Sequence, residues 1–176
     1  MLTINLISSQ GLPEVPVSEP PRPDPETRTF TLPVDPIHAR RFAYAATDEN
    51  PVYFDDEVAR RAGYERAIAP PMFVCSMFDH AAGPPERELK ADGVAAGIFP
   101  SVVRPDSALL GGGQEVDFLA PVHLGDTLQV TRSLADHYRR PSRRFGELEF
   151  VVVESLVVNQ EGTLVMRIVD TLIVDQ

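Results

Sequence analysis

One cysteine, Cys75, is all the thiol the chain contains. A lone thiol closes no internal disulfide, so nothing in the sequence points to an oxidising compartment. Basic residues are also scarce: 16 Lys and Arg stand against 26 Asp and Glu, a formal net charge of −10. A field of that sign repels phosphate backbones and anionic membrane surfaces, which argues against nucleic acid and membrane partners. No apolar run approaches the roughly 20 residues that a membrane span needs. The first residues, MLTINLISSQGLPEV, have neither a basic flank nor an apolar block long enough for a signal peptide, so an uncleaved, soluble, cytoplasmic protein is expected. No two histidines have metal-ligand spacing, and no Lys-Ser/Thr pair or strand–loop–helix context follows the glycines at 111–113. Neither a metal nor another cofactor is expected.

What is present fits one domain. With 176 residues, 43% hydrophobic and 24% charged, the chain can bury one core and is short for two. Residues 11–29, GLPEVPVSEPPRPDPETRT, hold too much proline and acid for a helix or a central strand. The chain therefore divides into an N-terminal arm, residues 1–29, and a folded domain, residues 30–176. TFTLPV is a short strand. Asp35 can cap a helix whose first residue is Pro36, with Phe42, Ala45 and Ala46 on one face. A second helix starts at the N-cap Asp55, has Asp56 and Glu57 in its first turn, turns Val58, Ala59 and Ala62 inward, and stops at Gly63. In PPMFVCSMFDHAAGPP a third helix can start at Pro70 or Pro71 and must end before Gly83. It is apolar almost all round, apart from Ser76, Asp79 and His80, which predicts burial.

Residues 84–113 are weakly patterned and longer than compact domains leave unstructured, so they read as a functional flap or as short elements. Beyond them the period becomes two. Val116 and Phe118 alternate with Glu115 and Asp117, and Leu128, Val130 and Leu134 with Thr127, Gln129 and Ser133. The glycines at 111–113 let the chain enter a strand or approach another backbone closely. The runs GELEFVVVESLVV and GTLVMRIVDTLIV flank NQEG, a hairpin turn, so the chain ends in an antiparallel meander of three to four strands. The basic cluster HYRRPSRRF, from His137 to Phe145, reads as a solvated hairpin tip. An apolar helix ahead of long antiparallel strands predicts a sheet wrapped around that helix, an α+β arrangement. That is the shape of a hot-dog fold.

Two segments, AATDENPVYFDDEVARRAGYERAIAPPMF and GGGQEVDFLAPVHLGDTL, follow each other in an order that resembles the MaoC-like (R)-specific enoyl-thioester hydratases and dehydratases. The nearest branch is the one named for the dehydratase domain of fatty-acid synthase, and the resemblance runs from Phe30 to Val174. It implies a hot-dog dimer with two sheets side by side and substrate tunnels at the subunit interface. The implied chemistry is reversible addition of water across a trans-2-enoyl thioester of coenzyme A or of an acyl-carrier protein. Active members hold and activate the water with the Asp and the His of D-x-N-P-x-H. A histidine suits this because its pKa lies near operating pH, while the developing enolate oxygen needs preorganised N–H donors at a helix start.

Carried over residue by residue, Asp48 matches the family Asp, and Asn50 and Pro51 match the turn. Tyr53 falls where the His belongs. With a pKa of about 10, tyrosine is a poor base at neutral pH, although it still donates a hydrogen bond. Where active members have a His-Gly pair at the helix start, this chain has Pro70 and Pro71, and proline has no N–H to give. Losing one such donor costs on the order of 10²–10³ in rate. Some members of the branch consist of two hot-dog halves, fused or separate. One keeps the Asp/His site, and the other keeps an A-P-P-x-F helix start and a wider space for the acyl tail. This chain looks like that second half, which implies a separate catalytic partner.

Several residues have two readings. Asp48 braces the turn into the second helix or keeps an active-site position. Tyr53 is a packed aromatic with a satisfied hydroxyl or an acid, and Ser76 lines the family's substrate pocket or bonds its own helix backbone. The basic cluster at 137–145 is a solvated tip or a landing site for coenzyme A or carrier-arm phosphates. His80, beside Asp79, could serve a thioesterase; His38, His123 and His137 sit in a helix start, a turn and a hairpin tip. Cys75 reads as a buried thiol. The expected function is the non-catalytic half of a heteromeric enoyl-thioester hydratase or 3-hydroxyacyl-thioester dehydratase, with Asn50, Pro71, Met72, Phe73, Ser76 and Met77 facing the acyl chain. Two alternatives stand beside it. One is a self-sufficient homodimeric hydratase using Asp48, with Tyr53 or a flap residue in place of the His. The other is a hot-dog acyl-thioester-binding protein or thioesterase.

Overall fold

The structure is a computed structural model that describes residues 27–78, 87, 109–144 and 146–174. The N-terminal arm, Asp79, His80 and most of the 84–113 stretch lie outside the described residues. The chain enters on strand β1 (Arg28–Pro33) and continues into helix α1 (Pro36–Ala45). Asp35 caps α1 as expected, its carboxylate accepting the His38 N–H at 2.8 Å. That bond is the main reason its pKa is lowered. The buried stripe of α1 is Ala39 and Ala43, with Phe42 half-buried beside them. Ala45 and Ala46 are exposed, contrary to the expected face, because the helix ends there and Ala46 is its C-cap.

Helix α2 (Asp56–Arg61) has the predicted cap: Asp55 Oδ1 accepts from Glu57 N at 2.7 Å and Val58 N at 3.1 Å. These backbone bonds, the one from Val58 foremost, hold its carboxyl below the usual range. Gly63 ends the helix at φ +96, a left-handed conformation that glycine reaches without steric cost. Only Ala59 of this helix is fully buried, and Ala62, expected inside, is exposed at the C-cap. Helix α3 (Phe73–Met77) begins later than Pro70 or Pro71. Its first N–H, on Phe73, donates to Pro70 O at 2.9 Å, so the two prolines form the turn that leads in. Phe73, Val74 and Met77 are buried, Cys75 and Phe78 are half-buried, and Ser76 faces out.

Four further strands complete one antiparallel sheet: β2 (Leu109–Phe118), β3 (Thr127–Ser142), β4 (Gly146–Val158) and β5 (Leu164–Val174), in the order β1-β3-β4-β5-β2. The meander is β3-β4-β5, and β2 pairs with β5 at the far edge instead of extending it toward β3. NQEG makes the expected turn, with Asn159 Oδ1 accepting from Glu161 N and Thr163 N. The basic cluster is a tip only at its end, where exposed Arg143 and Arg144 turn the chain from β3 into β4. His137 to Ser142 belong to β3 and pair with β4 from Gly146 to Val151. Cross-strand partners carry the ladder that far: Tyr138 stacks on Phe150 at 5.1 Å, and Arg139 meets Glu147 and Glu149.

The period-two pattern puts Val151, Val153, Ser155 and Val157 of β4 on one buried face. Val157 of that face, with Leu32, Val130, Val165, Met166 and Ile168, packs with Ala39 of α1 and with Phe73, Val74 and Met77 of α3, whereas Val151 and Val153 form a second cluster with Val174. The arrangement is the expected α+β one, a sheet laid around a central helix. Gly112 allows β2 to sit close against β5: a Cβ there would lie 3.0 Å from the Thr171 carbonyl oxygen. Among the described residues, no helix is long and apolar enough to cross a membrane.

Candidate functional site

The loop after α1 is built from short-range bonds that its sequence dictates. Thr47, at φ +54, turns the chain out of the helix, and Asp48 N donates back to Ala43 O at 2.9 Å. Asp48 Oδ1 accepts from Asn50 N at 3.2 Å, and Asn50 Oδ1 accepts from Val52 N at 3.3 Å. Asn50 thereby caps a 3₁₀ turn (Pro51–Tyr53) whose first position, Pro51, has no N–H to leave orphaned. The outcome places Asp48 at the surface and Tyr53 in the interior, 6% exposed.

The Tyr53 hydroxyl is pushed up to about 12, first by burial, then by the charge of Asp48 and by hydrogen bonding to that carboxylate. At neutral pH it is a proton donor facing a carboxylate, and no base stands at this position. A raised folded-state pKa contributes stability that is complete below the unfolded tyrosine value of about 10 and disappears as pH rises through the folded value. Urea midpoints measured from pH 9 to 12 are therefore expected to fall above pH 10, and less steeply in a Tyr53→Phe chain.

A second set of bonds fixes the segment that leads to α3. Ala67 N donates to Asp56 Oδ1, Ile68 N to Val52 O, and Ala69 N to Val122 O. Arg66 anchors the start of this segment, donating from Nη2 to Asp126 Oδ1 at 2.6 Å and from Nε to Leu124 O at 3.3 Å. Asp126 is 1% exposed and also accepts from His123 N and Gln160 Nε2. The role of Arg66 and Asp126 is absent from the sequence reading. Its one available signal was an aspartate directly after Gly125 at the entry to a strand.

The remaining candidates divide. Pro71, Met72 and Ser76 are exposed, whereas Phe73 and Met77 are packed in the core, so the expected acyl-facing residues do not share one side of α3. The Ser76 hydroxyl donates to Phe73 O at 2.6 Å, which favours the backbone-bonded reading. Cys75 is half-buried, and burial first, then Asp170, push its thiol up to about 11. His38 lies exposed at the start of α1, and His123 lies in a turn bridged to Ile68. His137 is on β3, where its ring bonds Glu149. Among the described residues, no group of three or more His, Cys, Asp and Glu could hold a metal ion.

The loop at 47–53, the segment at 66–73 and the strand entry at 122–128 thus meet at one end of the sheet. A profile of the FAS1-like dehydratase domain region matches residues 26–168, which include all three. The chain belongs to this family. A UPF0336 protein of Leifsonia xyli is 30% identical over 155 residues, 88% of this chain and 92% of that protein. A UPF0336 protein of Streptomyces griseus is 36% identical over 95 residues, 54% of this chain and 56% of its own length, so the match spans little more than half of that relative. In fold, this dehydratase-family chain superposes on the HadBC (3R-hydroxyacyl-ACP dehydratase) complex of Mycobacterium tuberculosis with a TM-score of 0.59 and 24% identity. The superposition covers 86% of this chain and 98% of that one. The hot-dog architecture and the MaoC-like assignment therefore hold. In this chain the 47–53 loop carries Asp48 and Asn50 at the surface and the buried phenol of Tyr53 behind them.

Proposed function

We propose that this chain is the non-catalytic half of a heteromeric enoyl-thioester hydratase or 3-hydroxyacyl-thioester dehydratase, acting beside a catalytic hot-dog partner. The observation that carries the reading is the state of Tyr53: it is buried, and Asp48 and its surroundings hold its proton in place. A general base must be able to lose and regain a proton near operating pH, and this group does neither. Pro71 supports the same reading, since it offers no N–H to a developing enolate oxygen. The partner would join at β2, an edge strand whose residues are mostly exposed and which ends in exposed Phe118 and Leu119. Pro71, Met72 and Ser76, on the open side of α3, would then face the acyl chain of a coenzyme A or carrier-protein thioester.

The test is hydration of crotonyl-CoA, followed by loss of the enoyl absorbance, with the chain alone and after co-expression with a neighbouring hot-dog protein. Turnover is expected only in the mixture, and Asp48→Ala in this chain should leave the mixture's rate within about twofold, because an imidazole-less dyad does no proton transfer. Turnover by the chain alone, abolished by Asp48→Ala, would establish the homodimeric reading instead. Release of free acid would point to a thioesterase.

A further inference from the structure

β4 is apolar on both of its faces. Val151, Val153 and Val157 belong to the two core clusters, whereas Leu148, Phe150 and Val152, which point the other way and are half-buried, belong to neither. Leu156 and Val158 continue that outward line, and Glu154 alone interrupts it. An antiparallel strand with one solvated face alternates apolar with polar residues, and this one does not.

On the outward face one apolar row crosses four strands. Tyr138 of β3 lies opposite Phe150 of β4, Phe150 opposite Ile173 of β5, and Ile173 opposite Leu110 of β2. Tyr138 stacks on Phe150 at 5.1 Å, and Leu110 is 62% exposed. A contiguous apolar band of this kind marks a contact surface.

The residues that flank the row match each other. On one side of it Arg140 stands opposite Leu148, and on the other Asp136 stands opposite Val152. Each flank therefore sets a charge on β3 beside an aliphatic side chain on β4, and the two charges have opposite sign. Arg140 lies over the Tyr138 ring at 4.9 Å, and Asp136 Oδ1 accepts from the adjacent His137 N. Among the described residues, neither has an ion-pair partner, while Arg139 on the core face takes Glu147 and Glu149.

A two-fold axis laid along the row, in the plane of the face, reverses the strand direction of a second copy and sets β3 over β3 and β4 over β4. Arg140 then meets Asp136 of the second copy, Leu148 meets Val152 of the second copy, and Tyr138 and Phe150 meet their own counterparts. A surface that complements itself under a two-fold is what an isologous contact requires. Packed sheets lie about 10 Å apart, a gap that an arginine and an aspartate span together.

We propose that this outward face seats a second copy of the chain, sheet against sheet, with the Tyr138–Phe150 row on the two-fold axis. The contact is separate from the β2 edge and independent of the hydratase reading. Sedimentation equilibrium of the full chain over a range of concentrations tests it, with circular dichroism to verify that each variant is folded. The unaltered chain is expected to associate. Arg140→Asp and Asp136→Arg should each weaken that association at least about tenfold, because each sets like charges against one another across the axis. An equal mixture of the two variants should recover the constant of the unaltered chain to within about threefold, since both cross-copy pairs then join opposite charges. An unaltered chain that stays monomeric overturns the proposal. So does association that both variants leave unchanged, since the copies then meet elsewhere, and so does a mixture of folded variants that associates no better than its parts.

Discussion

Asp126→Ala is expected to lower the unfolding free energy by about 3 kcal/mol, the scale for removing one partner from a buried ion pair. The aspartate is 1% exposed and accepts from Arg66, His123 N and Gln160 Nε2. Alanine leaves those donors with no acceptor, and a stranded buried donor costs more than the bond was worth. Arg66 moderates the loss, because its side chain is 39% exposed and can turn to water. The change also has a local effect. Arg66 starts the segment that carries Pro70, Pro71 and α3, so on the proposed function the variant should weaken the activity of the mixture with a catalytic partner even at temperatures where it stays folded. Urea denaturation reads the first effect, and crotonyl-CoA turnover of the mixture reads the second. Asp126→Asn keeps one acceptor oxygen and should recover part of both.

Ile168→Ala is expected to cost about 4 kcal/mol, the upper part of the range for truncating a fully buried aliphatic side chain. Ile168 is 0% exposed and lies between Val116 of β2 and Ser155 of β4. It belongs to the same cluster as Phe73, Val74 and Met77, so a cavity there undercuts the seat of α3 as well as the sheet. Against a total stability of roughly 5–15 kcal/mol, such a loss takes the chain close to unfolding at ordinary temperature. Ile168→Val should cost only about 1 kcal/mol. A urea midpoint that falls with an unchanged slope identifies a loss of stability in place of a change in the unfolded ensemble.

Much of the fold is legible in the sequence because local chemistry decides it. Asp35 and Pro36 start α1, Asp55 and Gly63 bracket α2, alternating apolar residues mark β2 and β3, and long β-branched runs around NQEG mark β4 and β5. Where the reading and the structure part, tertiary pairing is the cause. Nothing in HYRRPS reads as a strand by composition, yet cross-strand partners keep it in the ladder as far as Ser142. Ala45, Ala46 and Ala62 look like core residues in a helical wheel, but each is at or beside a helix end, where the wheel no longer applies. The loop at 47–53 is legible for the same reason as the caps: Asp, Asn and Pro there bond their own neighbours. The Arg66–Asp126 pair is not, because its members are 60 residues apart and no local pattern joins them.

β2 bears on how the chain must be produced. It is ten residues long, rich in glycine, and holds no proline or lysine that would deter another strand. Among the described residues nothing pairs with its outer side, so only Glu115, Asp117 and the bulge at Gly111/Gly113 stand between this edge and a neighbouring strand, and an edge left uncovered can seed aggregates. If the proposed hot-dog partner pairs with β2, a cell that made this chain in excess of that partner would accumulate sticky orphans. On that proposal, balanced synthesis of the two chains would be a requirement of solubility before it was one of catalysis.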